Sequence, residues 1–174
     1  LFIEEVLQYI YKSDPEWRVV ILRYFNPVGA HKSGLIGDSP SGTPNNLMPY
    51  ICDVASGKRE KLFIFGSDYS TKDGFGVRDY IHVWDVANAH IAAMESPVEV
   101  GQVRTFNIGV GRGYSVREVL ASVEQITGSK IDLRIENRRA GDASELIAGD
   151  IKKAETILDW KAKYTEIDDI VRHG

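Results

Sequence analysis

The chain has 174 residues, of which 43% are apolar and 26% are charged, with a formal net charge of -4 at pH 7. A chain of this length buries roughly 70% of the surface that it exposes when unfolded, so we predict a single unit over residues 1–174. The acidic balance excludes a general nucleic-acid-binding surface, and no apolar run approaches the roughly 20 residues of a membrane span. The lone Cys52 has no internal disulfide partner and favours a reducing, cytoplasmic location.

The first predicted elements are a helix and a buried strand. Residues 1–10 place apolar side chains on one helical face, at Ile3, Val6, Leu7 and Ile10. The chain begins within this pattern, without an initiator Met or a capping residue, so we expect a piece of a longer protein. Residues 19–25 form a nearly continuous apolar run that ends at Asn26-Pro27, which is typical of a strand buried on both faces.

A long loop and a second helix follow. Residues 29–46 are rich in Gly, Ser, Pro and Asn, and loops of this length within a domain are usually functional or disordered. We favour function, because Asn45-Asn46 leads directly into a helical pattern over residues 47–56. Pro49 in the first turn and Gly57 beyond the last turn match the usual start and stop of a helix.

The next stretch alternates between strands and a helix. Short strands are predicted over residues 62–65, 80–83 and 104–108 from their apolar and aromatic content. Between the last two, Asp85 is placed to cap a helix that ends near Glu95.

The last third of the chain continues the alternation. Ser115 and Glu118 form a capping box for a helix that ends near Gly128, and residues 131–135 alternate as a strand. Two further helical pieces are predicted, one capped by Asp150 and containing Ala154, Ile157 and Leu158, and one containing Ile167, Ile170 and Val171. Strands alternating with helices predict an α/β architecture.

One glycine-rich segment, residues 109–113, superficially resembles a dinucleotide-binding turn. Its third glycine comes one residue early, and no suitably placed acidic residue completes a βαβ unit behind it. We therefore interpret this segment as a turn that leads into a helix.

Three arginines are the strongest candidates for binding an anion: Arg78, Arg138 and Arg139. Guanidinium groups match phosphate oxygens and stay charged when desolvated. The alternative for Arg78 is a structural ion pair with Asp79 or Asp85. Asp142 follows Arg139 closely, so a diphosphate and a ribose hydroxyl are plausible ligands of neighbouring residues.

Amides and aromatics supply the remaining candidates. Asn26 and Asn46 sit where regular structure meets a loop, and they suit either hydrogen bonds to a sugar or phosphate, or turn and cap chemistry. Phe63, Phe65 and Tyr80 suit either the wall of a base or sugar site, or the core.

Neither metal ligation nor a serine nucleophile is predicted. The four histidines show no metal-ligand spacing with Cys52, and no nucleophile elbow occurs.

Four longer motifs are specific enough to indicate a protein family. They are Arg23-Tyr24-Phe25-Asn26-Pro27-Val28-Gly29-Ala30-His31, Asn45-Asn46-Leu47-Met48-Pro49-Tyr50, the run from Gly74 to Val83, and Arg138-Arg139-Ala140-Gly141-Asp142. Together they closely resemble the UDP-glucose 4-epimerase family of extended short-chain dehydrogenases/reductases. The resemblance covers essentially the whole chain.

The resemblance implies an enzyme that interconverts UDP-glucose and UDP-galactose. In that family NAD takes a hydride from the fourth carbon of the sugar, the keto sugar rotates, and the hydride returns to the other face. The family uses a Tyr-x-x-x-Lys pair for proton transfer and a glycine-rich turn for NAD, and neither occurs in these 174 residues. In the family this Lys lies immediately before a segment like Leu1-Phe2-Ile3-Glu4-Glu5.

We therefore expect the C-terminal, substrate-binding portion of an extended Rossmann-type epimerase, with the last elements of the dinucleotide-binding sheet. Partial Rossmann elements are expected near residues 1–30 and 103–128, and substrate-binding segments near residues 31–102 and 129–174. No catalytic residue is assigned to the chain, and we expect it to be inactive alone.

By resemblance, the substrate-binding residues are Asn26, Asn46, Phe63, Phe65, Arg78, Arg139 and Asp142, with the arginines on the diphosphate and Asp142 near the ribose. Phe25 is expected against the nicotinamide end of NAD, and Leu146 where the family sets the room around the sugar. Homodimerisation is expected only through the parent protein. The alternatives are a UDP-N-acetylhexosamine or UDP-uronate 4-epimerase, or a catalytically silent UDP-sugar-binding fragment.

Overall fold

A computed structural model of the chain describes residues 1–38, 40–96, 99 and 101–174. Its helices are α1 Phe2–Ser13, α2 Leu47–Ala55, α3 Val83–Glu95, α4 Val116–Thr127, α5 Lys152–Ile157 and α6 Ile167–Val171. Its strands are β1 Arg18–Tyr24, β2 Asn26–Val28, β3 Leu62–Phe65, β4 Val77–Arg78, β5 Tyr80–His82, β6 Gln102–Ile108, β7 Tyr114–Ser115, β8 Leu133–Glu136 and β9 Glu145–Leu146. The predicted alternation of strands and helices is confirmed.

The strands form small, mostly parallel sheets. β1 pairs with β6 in parallel, from Arg18 opposite Gln102 to Tyr24 opposite Ile108. Two further parallel pairs join β2 to β5 and β3 to β8. In the remaining sheet, β4 lies between an antiparallel β7 and a parallel β9. Parallel neighbours need crossover connections, which the intervening helices provide.

Two apolar clusters form the core. The first joins α2, β3 and α4 through side chains such as Ile51, Leu62 and Val119. The second joins β5, α3 and β6 through side chains such as Ile81, Ala89 and Phe106. Strand β5 contributes Tyr80 to the first cluster and Ile81 to the second, so it lies between them.

The capping box at the start of α4 is confirmed. The Ser115 hydroxyl accepts a hydrogen bond from the Glu118 amide at 3.1 Å, and the Glu118 carboxylate accepts one from the Ser115 amide at 2.7 Å. Gly128 closes the helix in a left-handed conformation with φ of +68°. Local sequence signals alone set both ends of this helix.

Two predicted helix caps are wrong. His82, not Asp85, caps α3, because its Nδ1 accepts a hydrogen bond from the Trp84 amide at 3.0 Å. Asp85 is instead buried, and its carboxylate accepts a hydrogen bond from the Tyr164 amide. Asp150 makes no cap either, since α5 begins after Ile151 without a side-chain capping bond.

The prediction that the first strand is buried on both faces is also wrong. Val19 and Ile21 are buried, whereas Val20 and Leu22 on the other face are only half-buried. Within the described part of the chain β6 is the single strand paired with β1, so one edge of β1 has no neighbour. Helix α1 likewise leaves apolar side chains exposed, among them Phe2 and Ile3. No helix in the described ranges is long and apolar enough to cross a bilayer.

Candidate nucleotide-sugar cleft

A cleft of about 320 Å³ opens where β2, β3 and β4 end. This volume lies at the small end of the range for ligand pockets, about 300–1,000 Å³. Eight of the nine predicted site residues line it: Phe25, Asn26, Asn46, Phe63, Phe65, Arg78, Arg139 and Asp142. These eight residues come from several segments between Phe25 and Asp142, and the fold brings their side chains together around one cleft.

Strand β3 provides the aromatic wall of the cleft. Phe63 and Phe65 lie on the same side of this strand, two residues apart. The Arg139 guanidinium lies over the Phe65 ring, 3.7 Å from its centroid. This stack holds a cation and an aromatic face side by side at the rim of the cleft. The rim therefore presents an aromatic face and a positive charge next to each other.

The structure separates the three candidate arginines. Arg138 does not line the cleft; it pairs with Asp68 at 2.6 Å, and its guanidinium lies over the Tyr69 ring. Arg78 and Arg139 line the cleft, and neither forms an ion pair with any carboxylate of the described residues. The alternative of an ion pair between Arg78 and Asp79 or Asp85 is therefore not observed. Two cations without partners favour an anionic ligand.

Arg78 is held in place by its strand and by glycine neighbours. Its Nη1 donates to the Val77 carbonyl at 2.9 Å, which leaves most of the guanidinium donors free. A Cβ at Gly76 would lie 3.4 Å from that same Nη1. Gly74 has φ of +83°, and a Cβ there would lie 2.3 Å from the Ser67 carbonyl oxygen, so only glycine fits this turn.

The two predicted amides lie at element boundaries facing the cleft. Asn26 begins β2, and its backbone amide donates to the Asp79 carbonyl at 3.0 Å. Asn46 occupies the N-cap position of α2, yet its side chain makes no capping hydrogen bond. The cap alternative for Asn46 is therefore not observed, and its side-chain amide is free to bind a ligand.

Leu146 does not line the cleft. It is 48% exposed and lies on β9, directly opposite Arg78 in the register of the sheet. Sequence reasoning in turn missed Asn45, Gly66 and Tyr69, which do line the cleft. Gly66 directly follows β3 with φ of +88°, and its lack of a side chain lets the Tyr69 ring pack against it. A glycine directly after a strand was the available signal for this bend.

Tyr80 also lines the cleft, but its hydroxyl is not suited to act as a base. Burial raises the pKa of Tyr80 to about 12, only partly offset by the positive charge of Arg78. The phenol therefore stays protonated near neutral pH. The cleft offers binding groups here rather than a proton acceptor.

The glycine-rich segment 109–113 is a turn whose backbone amides bind a side chain of the same protein. The amides of Val110 and Gly111 each donate to the Asp79 carboxylate at 2.9 Å. An internal carboxylate thus takes the donors that a dinucleotide-binding turn would offer to a pyrophosphate. Elsewhere in the described residues, no group of three or more His, Cys, Asp or Glu side chains is arranged to hold a metal ion.

Comparison with known proteins identifies the family of the chain. Residues 1–109 fit the model of the "NAD dependent epimerase/dehydratase family", which is more than half of the chain. The chain belongs to this family. It therefore shares the Rossmann-like α/β epimerase fold.

Several members of this family are similar over most of the chain. A UDP-glucose 4-epimerase of Arabidopsis thaliana is 52% identical over 94% of the chain and 47% of its own length. One from Neisseria gonorrhoeae is 56% identical over 80% of the chain and 41% of its own length. The crystal structure of the Bifidobacterium longum UDP-glucose 4-epimerase, solved with NAD+ and UDP, has a TM-score of 0.94 and 46% identity over 99% of the chain. The chain spans about half the length of these relatives.

Proposed function

We propose that this chain is the UDP-sugar-binding part of a UDP-glucose 4-epimerase that interconverts UDP-glucose and UDP-galactose with NAD. The observation that supports this is the convergence of Asn26, Asn46, Arg78, Arg139 and Asp142 on one cleft with an aromatic wall. UDP-glucose 4-epimerases are similar to most of the chain, and the one from Bifidobacterium longum was solved with NAD+ and UDP.

The diphosphate is assigned to Arg78 and Arg139, which form no ion pair with any described residue. Arg78 is half-buried, so its attraction for an anion is screened less by water than that of a surface cation. Arg139 stands at the exposed rim and is kept in place by the Phe65 ring. A diphosphate between them would accept hydrogen bonds from both guanidinium groups.

The uridine is assigned to the β3 side of the cleft. Phe63 and Phe65 offer aromatic surface for the base, and Asp142 offers a carboxylate for the ribose hydroxyls. Asp142 follows Arg139 in the same rim segment and both line the cleft, so we assign the ribose and the diphosphate to neighbouring residues.

The sugar is assigned to the end of the cleft near β2. Asn26 and Asn46 offer neutral hydrogen bonds there, and Phe25 is half-buried beside them, which fits a neighbour of the nicotinamide. When bound, NAD supplies the reversible uptake of a hydride from the sugar. We keep Leu146 as a residue that affects room for the sugar through its place next to Arg78 in the sheet.

We further propose that the chain corresponds to the C-terminal portion of the family's enzymes. The glycine-rich NAD turn and the Tyr-x-x-x-Lys pair are not among its 174 residues, whereas the cleft-lining motifs are. The elements near residues 1–30 and 103–128 then belong to the dinucleotide-binding sheet, and those near 31–102 and 129–174 to the substrate side. A cytoplasmic location and a homodimer of the parent protein accompany this proposal.

The test is conversion of UDP-galactose to UDP-glucose with added NAD, by this chain and by its parent protein, together with UDP binding by calorimetry. We expect the chain to bind UDP without turnover and the parent protein to turn over. Turnover by the chain alone would contradict our assignment of the proton-transfer residues elsewhere. Preference of the parent for an N-acetylated or uronate substrate in competition would contradict the assigned sugar.

A further inference from the structure

Asp79 is the most deeply buried charge next to the cleft. Its side chain is fully buried, and its carboxylate accepts three backbone hydrogen bonds, from Val110 and Gly111 at 2.9 Å and from Ala148 at 3.1 Å. None of its partners within the described ranges is a cation. A carboxylate kept in such a place by amides alone fixes the segments that donate to it.

The main chain of Asp79 binds two further segments of the site. Its amide donates to the Leu146 carbonyl at 2.9 Å, and its carbonyl accepts from the Asn26 amide at 3.0 Å. Asp79 follows Arg78 directly in the chain. One residue therefore connects the strand that bears Arg78, the strand that begins with Asn26, and the strand opposite Arg78.

The neighbouring loop is shaped to admit this carboxylate. A Cβ at Gly109 would lie 2.7 Å from Asp79 Oδ2 and 2.4 Å from the Ala148 Cβ. Only a residue without a side chain lets the loop approach closely enough for both amide bonds. Asp79 thus accounts for Gly109, whereas a Cβ at Gly111 or Gly113 would instead meet the side chains of Ile151 or Val77.

We infer that Asp79 is a positioning residue: its buried carboxylate anchors it to the amides of Val110, Gly111 and Ala148. The anchored main chain then holds Arg78 and Asn26 in place for a nucleoside diphosphate. This inference rests on the proposed function, since it takes Arg78 as the diphosphate ligand. A mere contribution to folding would lower stability and leave the affinity of the folded protein unchanged. A positioning role predicts a loss of affinity that is specific to the diphosphate.

The variant that tests this is Asp79→Asn, which keeps the shape but replaces one acceptor oxygen with a donor. We expect its affinity for UDP to fall about tenfold, the low end for a lost charge-assisted hydrogen bond, with uridine affinity unchanged. The matched control is Asp85→Asn on α3. The Asp85 carboxylate is similarly buried, accepts a hydrogen bond from the Tyr164 amide and does not line the cleft. It should lower stability without changing UDP affinity.

A double-mutant comparison with Arg78→Ala separates the possible failures. If Asp79 acts through Arg78, Asp79→Asn should weaken UDP binding much less in the Arg78→Ala background than in the wild type. Equal effects in both backgrounds, or a folded Asp79→Asn protein with wild-type UDP affinity, would overturn the inference. Unchanged UDP affinity in Arg78→Ala alone would instead overturn the proposed diphosphate site.

Should Asp79→Asn fail to fold, Gly109→Ala tests the same connection from the loop side. Its added methyl group would lie 2.7 Å from Asp79 Oδ2 and 2.4 Å from the Ala148 Cβ, so the loop must move away, while the Asp79 side chain is chemically unchanged. We expect the same selective loss of UDP affinity over uridine affinity, of smaller size. An equal loss of affinity for UDP and uridine, or unchanged affinity for both, would contradict the positioning role.

Discussion

Replacing Arg78 with alanine is the most direct test of the cleft. The side chain is half-buried, lacks a carboxylate partner among the described residues, and uses one donor on the Val77 carbonyl. Losing one hydrogen bond between a charged group and a diphosphate costs about 1.5–3 kcal/mol. The dissociation constant for UDP should therefore rise by roughly 10- to 150-fold. Loss of the Val77 contact should cost only about 1 kcal/mol of stability, so the variant should stay folded.

The assay is calorimetric titration of the folded chain with UDP and with uridine. Arg138→Ala is the matched control, because Arg138 is the sequence neighbour of Arg139 but is already paired with Asp68 and does not line the cleft. It should change UDP affinity by less than about threefold, the effect of an exposed ion pair. Equal losses for UDP and uridine in Arg78→Ala, or equal losses in both arginine variants, would refute the diphosphate assignment.

Three further predictions concern stability and are measured by denaturant unfolding. Gly74→Ala should cost at least about 1 kcal/mol more than Gly42→Ala, because both have φ near +84° but only at Gly74 would the Cβ strike a backbone oxygen, that of Ser67. Ser115→Ala should cost about 1 kcal/mol or more through the lost capping box, and an unchanged midpoint would contradict the capping role. Burial lowers the pKa of His82 from 6.5, so the folded state binds its proton less readily than the unfolded chain. Stability should therefore fall as pH drops below about 6.5, and His82→Asn, which keeps a capping oxygen, should flatten that dependence.

Local chemistry explains which elements the sequence predicted well. The strand over residues 62–65 and the capping box at Ser115 depend on neighbours within a few positions, and both are confirmed. The cleft residues were reached by a different route, through long motifs shared with a known family. Spacing alone allowed two interpretations for each of two residues. Arg78 could bind an anion or form an ion pair, and Asn46 could bind a ligand or cap a helix.

Long-range contacts explain what the sequence could not predict. Asp85 looks like a cap because it follows a strand, but its carboxylate is taken by the Tyr164 amide, which lies 79 residues further along. The role of Asp79 depends likewise on amides 31 to 69 residues away. Tyr69 joined the cleft only because Gly66 turns the chain back toward it. No local pattern contains this information.

The cleft takes its walls from β2, β3, β4 and a distant rim segment, while no described sheet has more than three strands. Elements joined by so few backbone hydrogen bonds depend on packing to keep their spacing. A nucleotide bound in the cleft would contact β2, β3 and β4 together, although these strands belong to separate sheets, and would therefore stabilise their relative positions. The melting temperature should then rise with UDP concentration, by an amount corresponding to about 2.7 kcal/mol at 100 times the dissociation constant. Thermal unfolding at several UDP concentrations would then measure both the stability of the fold and the affinity for UDP.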